Sequence, residues 1–259
     1  MTQLEKLLFL NRILIDEMPE YKKQATEFLE KENEQQILFR SLVNLRSPKL
    51  ISKEFLKVQD EFLREETEKK IVVSLADLQE KKPNIYLWQG DITRLCVDAI
   101  VNAANDALLG CFIPCHKCID NAIHFFSGLQ LRQECKKIMD EQGHKEATGK
   151  AKITNAYNLP CKHIIHTVGP IIYNKLTKKD CELLASCYEE CLKLVIKNNL
   201  KSIAFCCIST GEFCFPNDRA SKIAVETVER ILAETQSEIK VVFNVFKEED
   251  RELYGKLLG

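Results

Sequence analysis

From about residue 75 to the C-terminus, short apolar runs alternate with longer stretches whose apolar residues recur at helical spacing. That alternation narrows the fold more than any other property of the chain. The runs are "IYLWQGDI", "AIVNAAN", "KHIIHTVGP", "SIAFCCIST" and "KVVFNVF", each suited to one strand. Amphipathic patterns between them predict helices over 120–139, 180–197 and 218–232. Strands that are apolar along their whole length need cover on both faces, and strands separated by helices pair in parallel. The expected fold is therefore α/β: a three-layer α/β/α domain with a central mixed, largely parallel sheet, over residues 75–259.

The first 70 or so residues have another texture, with no glycine and with Leu4, Leu7, Leu8, Leu14, Ile15 and Met18 spaced as on one helical face. Pro48 disfavours helix at Ser47, while Ser52 is a good N-cap for a helix through Phe55, Val58, Phe62 and Leu63. Residues 1–74 read as three or four short helices, a helical N-terminal extension that packs its apolar faces on the larger domain. Lys and Arg number 37 against 38 Asp and Glu, so no global charge points to nucleic acid or an anionic membrane, and any anion must be held locally. No apolar run reaches the roughly 18 to 20 residues of a membrane span. The charged N-terminus "MTQLEKLLFLNRILIDEMPE" does not look like a signal peptide. Of the 12 cysteines, Cys96, Cys135, Cys161, Cys181, Cys187, Cys191, Cys206 and Cys207 read as buried, inert thiols of a reducing, cytoplasmic compartment.

In an open α/β sheet, ligands bind beyond the carboxyl ends of the strands, which here lead into "QGDIT", "NAAND" and "STGEFCFPND". Ser209 and Thr210 bring hydroxyls, and Gly211 permits a turn that aims backbone amides at a phosphate, although the same residues also make a plain connection. Asp91 can accept from a ligand's exocyclic amine or cap its own turn. Asn102 and Asn105 can serve a ligand or a turn equally well.

"CFIPCHKC" sets Cys111, Cys115 and Cys118 around His116, and sulfur with imidazole is the donor set that suits zinc. The spacing is too tight for a closed structural finger, whereas a catalytic site keeps three protein ligands and one open position. Pro114 kinks the loop so that Cys111 and the His116/Cys118 pair can converge, with Cys115 pointing elsewhere. A partly buried, reducible thiol cluster is the other reading.

The combination "LWQGDITRLCVDAIVNAAN", "DNAIHFFSG", "TGKAKITNAYNLPCKHIIHTVGP" and "ISTGEFCFP" resembles a macrodomain over residues 84–246. With its Cys-x4-His-x-Cys loop between "NAAN" and "DNAIH", the chain is similar to the zinc-dependent macrodomain class of protein-ADP-ribose hydrolases, whose helical extension the N-terminal segment also resembles. The resemblance implies that Asp91 and Ile92 contact the adenine end of ADP-ribose and that Ser209, Thr210, Gly211, Glu212 and Phe213 wrap the diphosphate. It places Phe215 against the ribose region. Asn105 would orient the distal ribose, and Asp120, which can also be the N-cap of its helix, matches the acidic catalytic residue.

By the same pattern Cys111, His116 and Cys118 hold one zinc ion, with Cys115 outside the set. The implied activity is removal of mono-ADP-ribose from an ester-type O-linkage on a protein side chain, releasing free ADP-ribose. The implied partners are the modified protein and a cognate ADP-ribosyltransferase. A non-catalytic ADP-ribose reader and a hydrolase of small ADP-ribose derivatives are the competing readings. Macrodomains often carry glycine where this chain has Cys214 and Ala156, and the glycine-rich loop of ordinary hydrolytic macrodomains is replaced here by the Cys/His loop.

Overall fold

The computed structural model describes residues 1–259. The N-terminal segment forms α1 (Gln3–Glu17), α2 (Lys22–Ala25), α3 (Glu32–Leu45) and α4 (Lys53–Lys69). Side chains fix their starts: Thr2 and Glu5 make a reciprocal capping box on α1, and Ser52 Oγ accepts the Phe55 N–H on α4. Leu7, Leu10 and Leu14 of α1 share a core with Phe39 and Leu42 of α3 and Phe55 and Phe62 of α4, closed by Phe125 and Leu129 from beyond the extension. Phe39 meets Phe62 and Phe125 edge-on, with ring centroids 5.5 and 5.7 Å apart. Burying one such ring is worth about 1.5–3 kcal/mol. The extension is therefore fastened to the rest of the chain through shared core residues.

Then follow β1 (Val73–Ser74), β2 (Glu80–Lys82), β3 (Ile85–Gln89), β4 (Leu95–Cys96), β5 (Ala99–Ala103), α5 (Ile119–Ser127) and α6 (Leu129–Gln142). β6 (Ala151–Asn155), β7 (His163–Thr167), α7 (Lys178–Lys197), β8 (Ser202–Phe205), α8 (Asn217–Thr235), β9 (Lys240–Val245) and α9 (Glu248–Leu258) complete the chain. Seven strands make one sheet in the order β2-β3-β9-β8-β5-β7-β6, parallel except for the edge strands β2 and β6. β1 and β4 form a separate two-residue pair. Helices cover both faces, α7, α8 and α9 packing side by side and α5 and α6 lying on β5 and β6. Ile100, Val101, Ile203, Ala204, Val241 and Val242 are accordingly wholly buried, which is why these strands read as apolar runs without alternation.

Three features depart from the sequence expectation. The single helix predicted over 120–139 is two, because Gly128 takes φ 101°, closing α5 on the carbonyls of His124 and Phe125 and starting α6 at a new angle. The edge strands and α9 give no clear period, β2 and α9 because charged residues dominate them and β6 because it is short and mostly part-exposed. Cys96 is exposed, and Cys181 and Cys207 are half-buried, so the group of inert thiols is buried only at Cys135, Cys161, Cys187, Cys191 and Cys206.

The parallel arrangement has a functional consequence. β3, β5, β7, β8 and β9 all end on the same edge of the sheet, at Gln89, Ala103, Thr167, Phe205 and Val245, so the loops that follow them share one space.

Candidate active site

Those loops enclose a cleft of about 1050 Å³, lined by Asp91 and Ile92 after β3, Asn105 to Phe126 in part after β5, Gly169 after β7, Cys206 to Phe213 in part after β8, and Phe246 after β9. Arg40 of α3 and Lys70, just past α4, also line it, so the extension contributes to the cleft besides covering an apolar face.

Asp120 stands in the first turn of α5 and is 5% exposed. It does not cap that helix. The cap is Cys118, whose Sγ accepts the Asn121 N–H at 3.4 Å, and this leaves the Asp120 carboxylate to the cleft. Asn102 Nδ2 donates to its Oδ1 at 2.8 Å and Asn105 Nδ2 to its Oδ2 at 3.2 Å. Asn102 is itself wholly buried and reaches the site only through Asp120, because strand register places it opposite His166. Its Nδ2 also donates to His166 Nδ1 at 3.1 Å, and the proton on His166 Nε2 goes to Thr154 Oγ1 at 2.9 Å. Burial pushes the Asp120 carboxyl up to about 6, against the pull of Asn102, Arg132 and Asn105. A buried, hydrogen-bonded carboxylate at the cleft surface can hold a water and take its proton. Asn105 spends its amide inside the protein, donating also to the Gly110 carbonyl at 3.0 Å and accepting the Ala107 N–H at 3.1 Å.

Cys111, His116 and Cys118 all face the cleft, and their donor atoms lie within 4.8 Å of one another. Cys111 Sγ is 3.6 Å from His116 Nδ1, close to the roughly 3.5–3.8 Å that tetrahedral zinc imposes on its sulfur and nitrogen ligands. Burial, and then the charges of Cys111 and Asp120, push the Cys118 thiol up to about 12 against the pull of the Asn121 amide. Two thiolates this close need a cation between them, so the donor chemistry fits a divalent metal with one side open to the cleft. Cys115 is turned away, its Sγ 3.3 Å from Ser41 Oγ. His116 Nε2 lies 3.7 Å from a carboxylate oxygen of Glu212, which ties this trio to the opposite loop.

In that loop the left-handed residues are Ser209 (φ 67°) and Cys214 (φ 54°), not Gly211, which the sequence had made the turn residue. Gly211 faces open space, where a Cβ would meet nothing within 4 Å. The turn closes through Cys214 N–H to Gly211 O and Phe215 N–H to Ser209 O. The amides of Gly211, Glu212 and Phe213 have no acceptor within the protein, an arrangement that suits an anion. Phe215 is 1% exposed in the core beneath the loop and is not on the cleft surface. Cys214 is exposed and Ala156 buried, both off the cleft, so neither narrows it. At the other end Asp91 caps its own turn, Oδ1 accepting from Thr93 N and Oγ1 at 3.0 and 2.6 Å, while Oδ2 lies on the cleft 3.5 Å from Lys70 Nζ.

Sequence reasoning missed a second, wholly internal group, His124, Cys135 and His166, whose donor atoms also lie within 4.8 Å of one another. Burial keeps both imidazoles neutral, His166 down to about 3, and pushes the Cys135 thiol up. Because both nitrogens of His166 are already engaged, the group reads as the polar backing of Asp120. Arg132, 3% exposed, was missed as well, since a lone arginine in an amphipathic pattern gives no signal.

The chain matches the Macro domain family over residues 101–224. It is 53% identical to a protein-ADP-ribose hydrolase of Treponema medium over 100% of both chains. A protein-ADP-ribose hydrolase of Staphylococcus aureus (strain MSSA476) is 52% identical, with 84% of this chain and 82% of the relative covered. Among solved structures, a Trypanosoma brucei macrodomain in complex with ADP-ribose superposes with a TM-score of 0.67 at 29% identity, covering 85% of this chain and 95% of that one. An Oceanobacillus iheyensis macrodomain with ADP gives 0.62 at 36% identity, covering 69% and 92%.

Proposed function

Because the chain belongs to the macrodomain family of protein-ADP-ribose hydrolases, we propose that it removes mono-ADP-ribose from an ester-type O-linkage on a protein side chain, with zinc at Cys111, His116 and Cys118. The observation that carries this reading is the juxtaposition of the buried Asp120 carboxylate with that trio in one cleft, opposite the unpaired amides of Gly211, Glu212 and Phe213.

The diphosphate of ADP-ribose lies on those amides and the adenine end at Asp91 and Ile92, which leaves the distal ribose beside Asp120. In the reaction a water oxygen bonds to the anomeric carbon of that ribose. The bond from this carbon to the side-chain oxygen breaks with its electron pair, and Asp120 takes the proton the water gives up. The products are ADP-ribose and the unmodified side chain. Asn102 and Asn105 hold Asp120 in place for this step. Cys111, His116 and Cys118 would hold the zinc, which would supply Lewis acidity to the cleft. The partners on this reading are the modified protein and the transferase that modifies it, and no helix of the chain is long and apolar enough to cross a membrane.

The test is release of ADP-ribose from a mono-ADP-ribosylated protein, compared among zinc-loaded protein, protein treated with a chelator, and Cys118→Ala. Release that falls on chelation and returns with zinc supports the reading. Equal release in all three removes zinc from it, and binding without release makes the protein a reader. Substrates modified on glutamate, serine and arginine decide the linkage, with glutamate expected to be cleaved fastest.

A further inference from the structure

Between Cys111 and Cys118 the chain has no helix or strand, yet its three donor side chains converge. A loop of this kind holds such a geometry only if something outside it fixes its backbone, and here that is α3. Asn44, near the end of α3 and wholly buried, accepts the Cys115 N–H on Oδ1 at 2.9 Å. Its own Nδ2 has no partner, a cost that a residue kept only for packing would not carry. Cys115 is at φ 51°, a left-handed conformation costing about 1–2 kcal/mol for a residue with a Cβ, and both its amide and its thiol are docked on α3. Arg40 donates through Nε and Nη2 to Asn121 Oδ1 at 3.2 and 2.9 Å, and Asn121 Nδ2 in turn donates to the Ile113 carbonyl at 3.0 Å. Arg132 of α6 completes the clamp. Its Nη1 donates to the Val43, Asn44 and Arg46 carbonyls, and its guanidinium carbon lies 4.4 Å from the centre of the Phe112 ring.

Residues 112, 113 and 115 are thus tied down, while 111, 116 and 118 are left to face one another. We propose that α3 of the N-terminal extension is the seat of the metal loop, with Asn44, Ser41 and Arg40 as positioning residues and Cys115 as the anchor that preorganises Cys111, His116 and Cys118 for zinc. This rests on the reading of those three as the ligands. It gives the extension a task in catalysis that covering an apolar face would not require, and it accounts for a third cysteine in the loop that is not a ligand.

The test is zinc affinity of the full-length chain, measured by competition with a chromophoric chelator, together with the melting temperature of the metal-free protein. Asn44→Leu is expected to bind zinc about 10- to 100-fold more weakly, the range seen when outer-shell partners of metal ligands are removed. Asn44→Asp, which keeps the acceptor for the Cys115 amide, restores affinity to near wild type. Arg40→Leu, at a half-buried position, weakens zinc in the same direction without lowering the melting temperature and carries the test if Asn44→Leu does not fold. Wild-type affinity in both Asn44→Leu and Arg40→Leu overturns the proposal. A separate result, wild-type zinc affinity in Cys118→Ser, overturns the ligand reading itself and removes the basis of the proposal with it.

Discussion

An alanine at Gly169 tests whether the loop after β8 carries the diphosphate. A Cβ added there would lie 2.0 Å from Ser209 Oγ, 2.9 Å from Ile208 Cγ2 and 3.3 Å from Ser209 Cβ. Gly169 is outside the left-handed region, so alanine brings no backbone strain and the whole cost is contact. Ser209 Oγ is buried without a partner and can rotate away. Ile208 is wholly buried and the Ser209 Cβ has no rotamer to change, so the remaining overlap is relieved only by sliding the loop. Overpacking of this size costs about 1–3 kcal/mol. If the loop must return to its place to bind the diphosphate, that becomes a roughly 5- to 150-fold loss of ADP-ribose affinity, at about 1.4 kcal/mol per tenfold. Isothermal titration with ADP-ribose measures it, and a thermal melt confirms that the variant is folded. A folded Gly169→Ala protein that binds ADP-ribose within twofold of wild type would refute the placement of the diphosphate on this loop.

Three further outcomes follow from the same geometry. Asp120→Ala should lower the rate of ADP-ribose release by about 10²- to 10⁴-fold, the usual contribution of a positioned base, with a much smaller change in ADP-ribose affinity by titration. Cys214→Gly should raise stability by about 0.5–1 kcal/mol in urea unfolding, because it removes a left-handed cost of about 1–2 kcal/mol and adds back roughly half of that as glycine entropy. The folded protein keeps His124 and His166 neutral, while an unfolded chain protonates them near the ordinary histidine value of about 6.5, so their contribution is complete above that pH and is lost as pH falls below it. Asp120, raised to about 6 and beside His124, works the other way, and Arg132 faces both. The net loss by pH 5 should be about 2–4 kcal/mol in urea midpoints, and His166→Gln should flatten the curve.

Particular residues show why some of this was legible in the sequence and some was not. β3, β5, β7, β8 and β9 stood out because a strand covered on both faces has to be apolar throughout. β6 stayed hidden for the converse reason: it is an edge strand with four of its five residues at least partly exposed. Gly128 interrupts an otherwise continuous helical period, and its φ of 101° shows only when the backbone is seen. In the "STGEFC" segment the residue types left an anion cradle and a plain connection both open and pointed to the glycine as the turn residue, yet the left-handed positions are Ser209 and Cys214, with the turn closed by Phe215 N–H to Ser209 O.

The sequence by itself determined the layered α/β architecture, the edge of the sheet on which the cleft opens, and the donor types gathered in the Cys/His loop. These are local properties, set by side-chain periodicity and by the chemistry of a few consecutive residues. Tertiary structure alone decided what each residue of that loop does. Cys115 is an anchor because Asn44, 71 positions away in sequence, meets its amide. Asn102 serves Asp120 and not the ligand because register sets it against His166, 64 positions away. Contacts across such separations exist only once the core has packed, and no spacing within either segment encodes them.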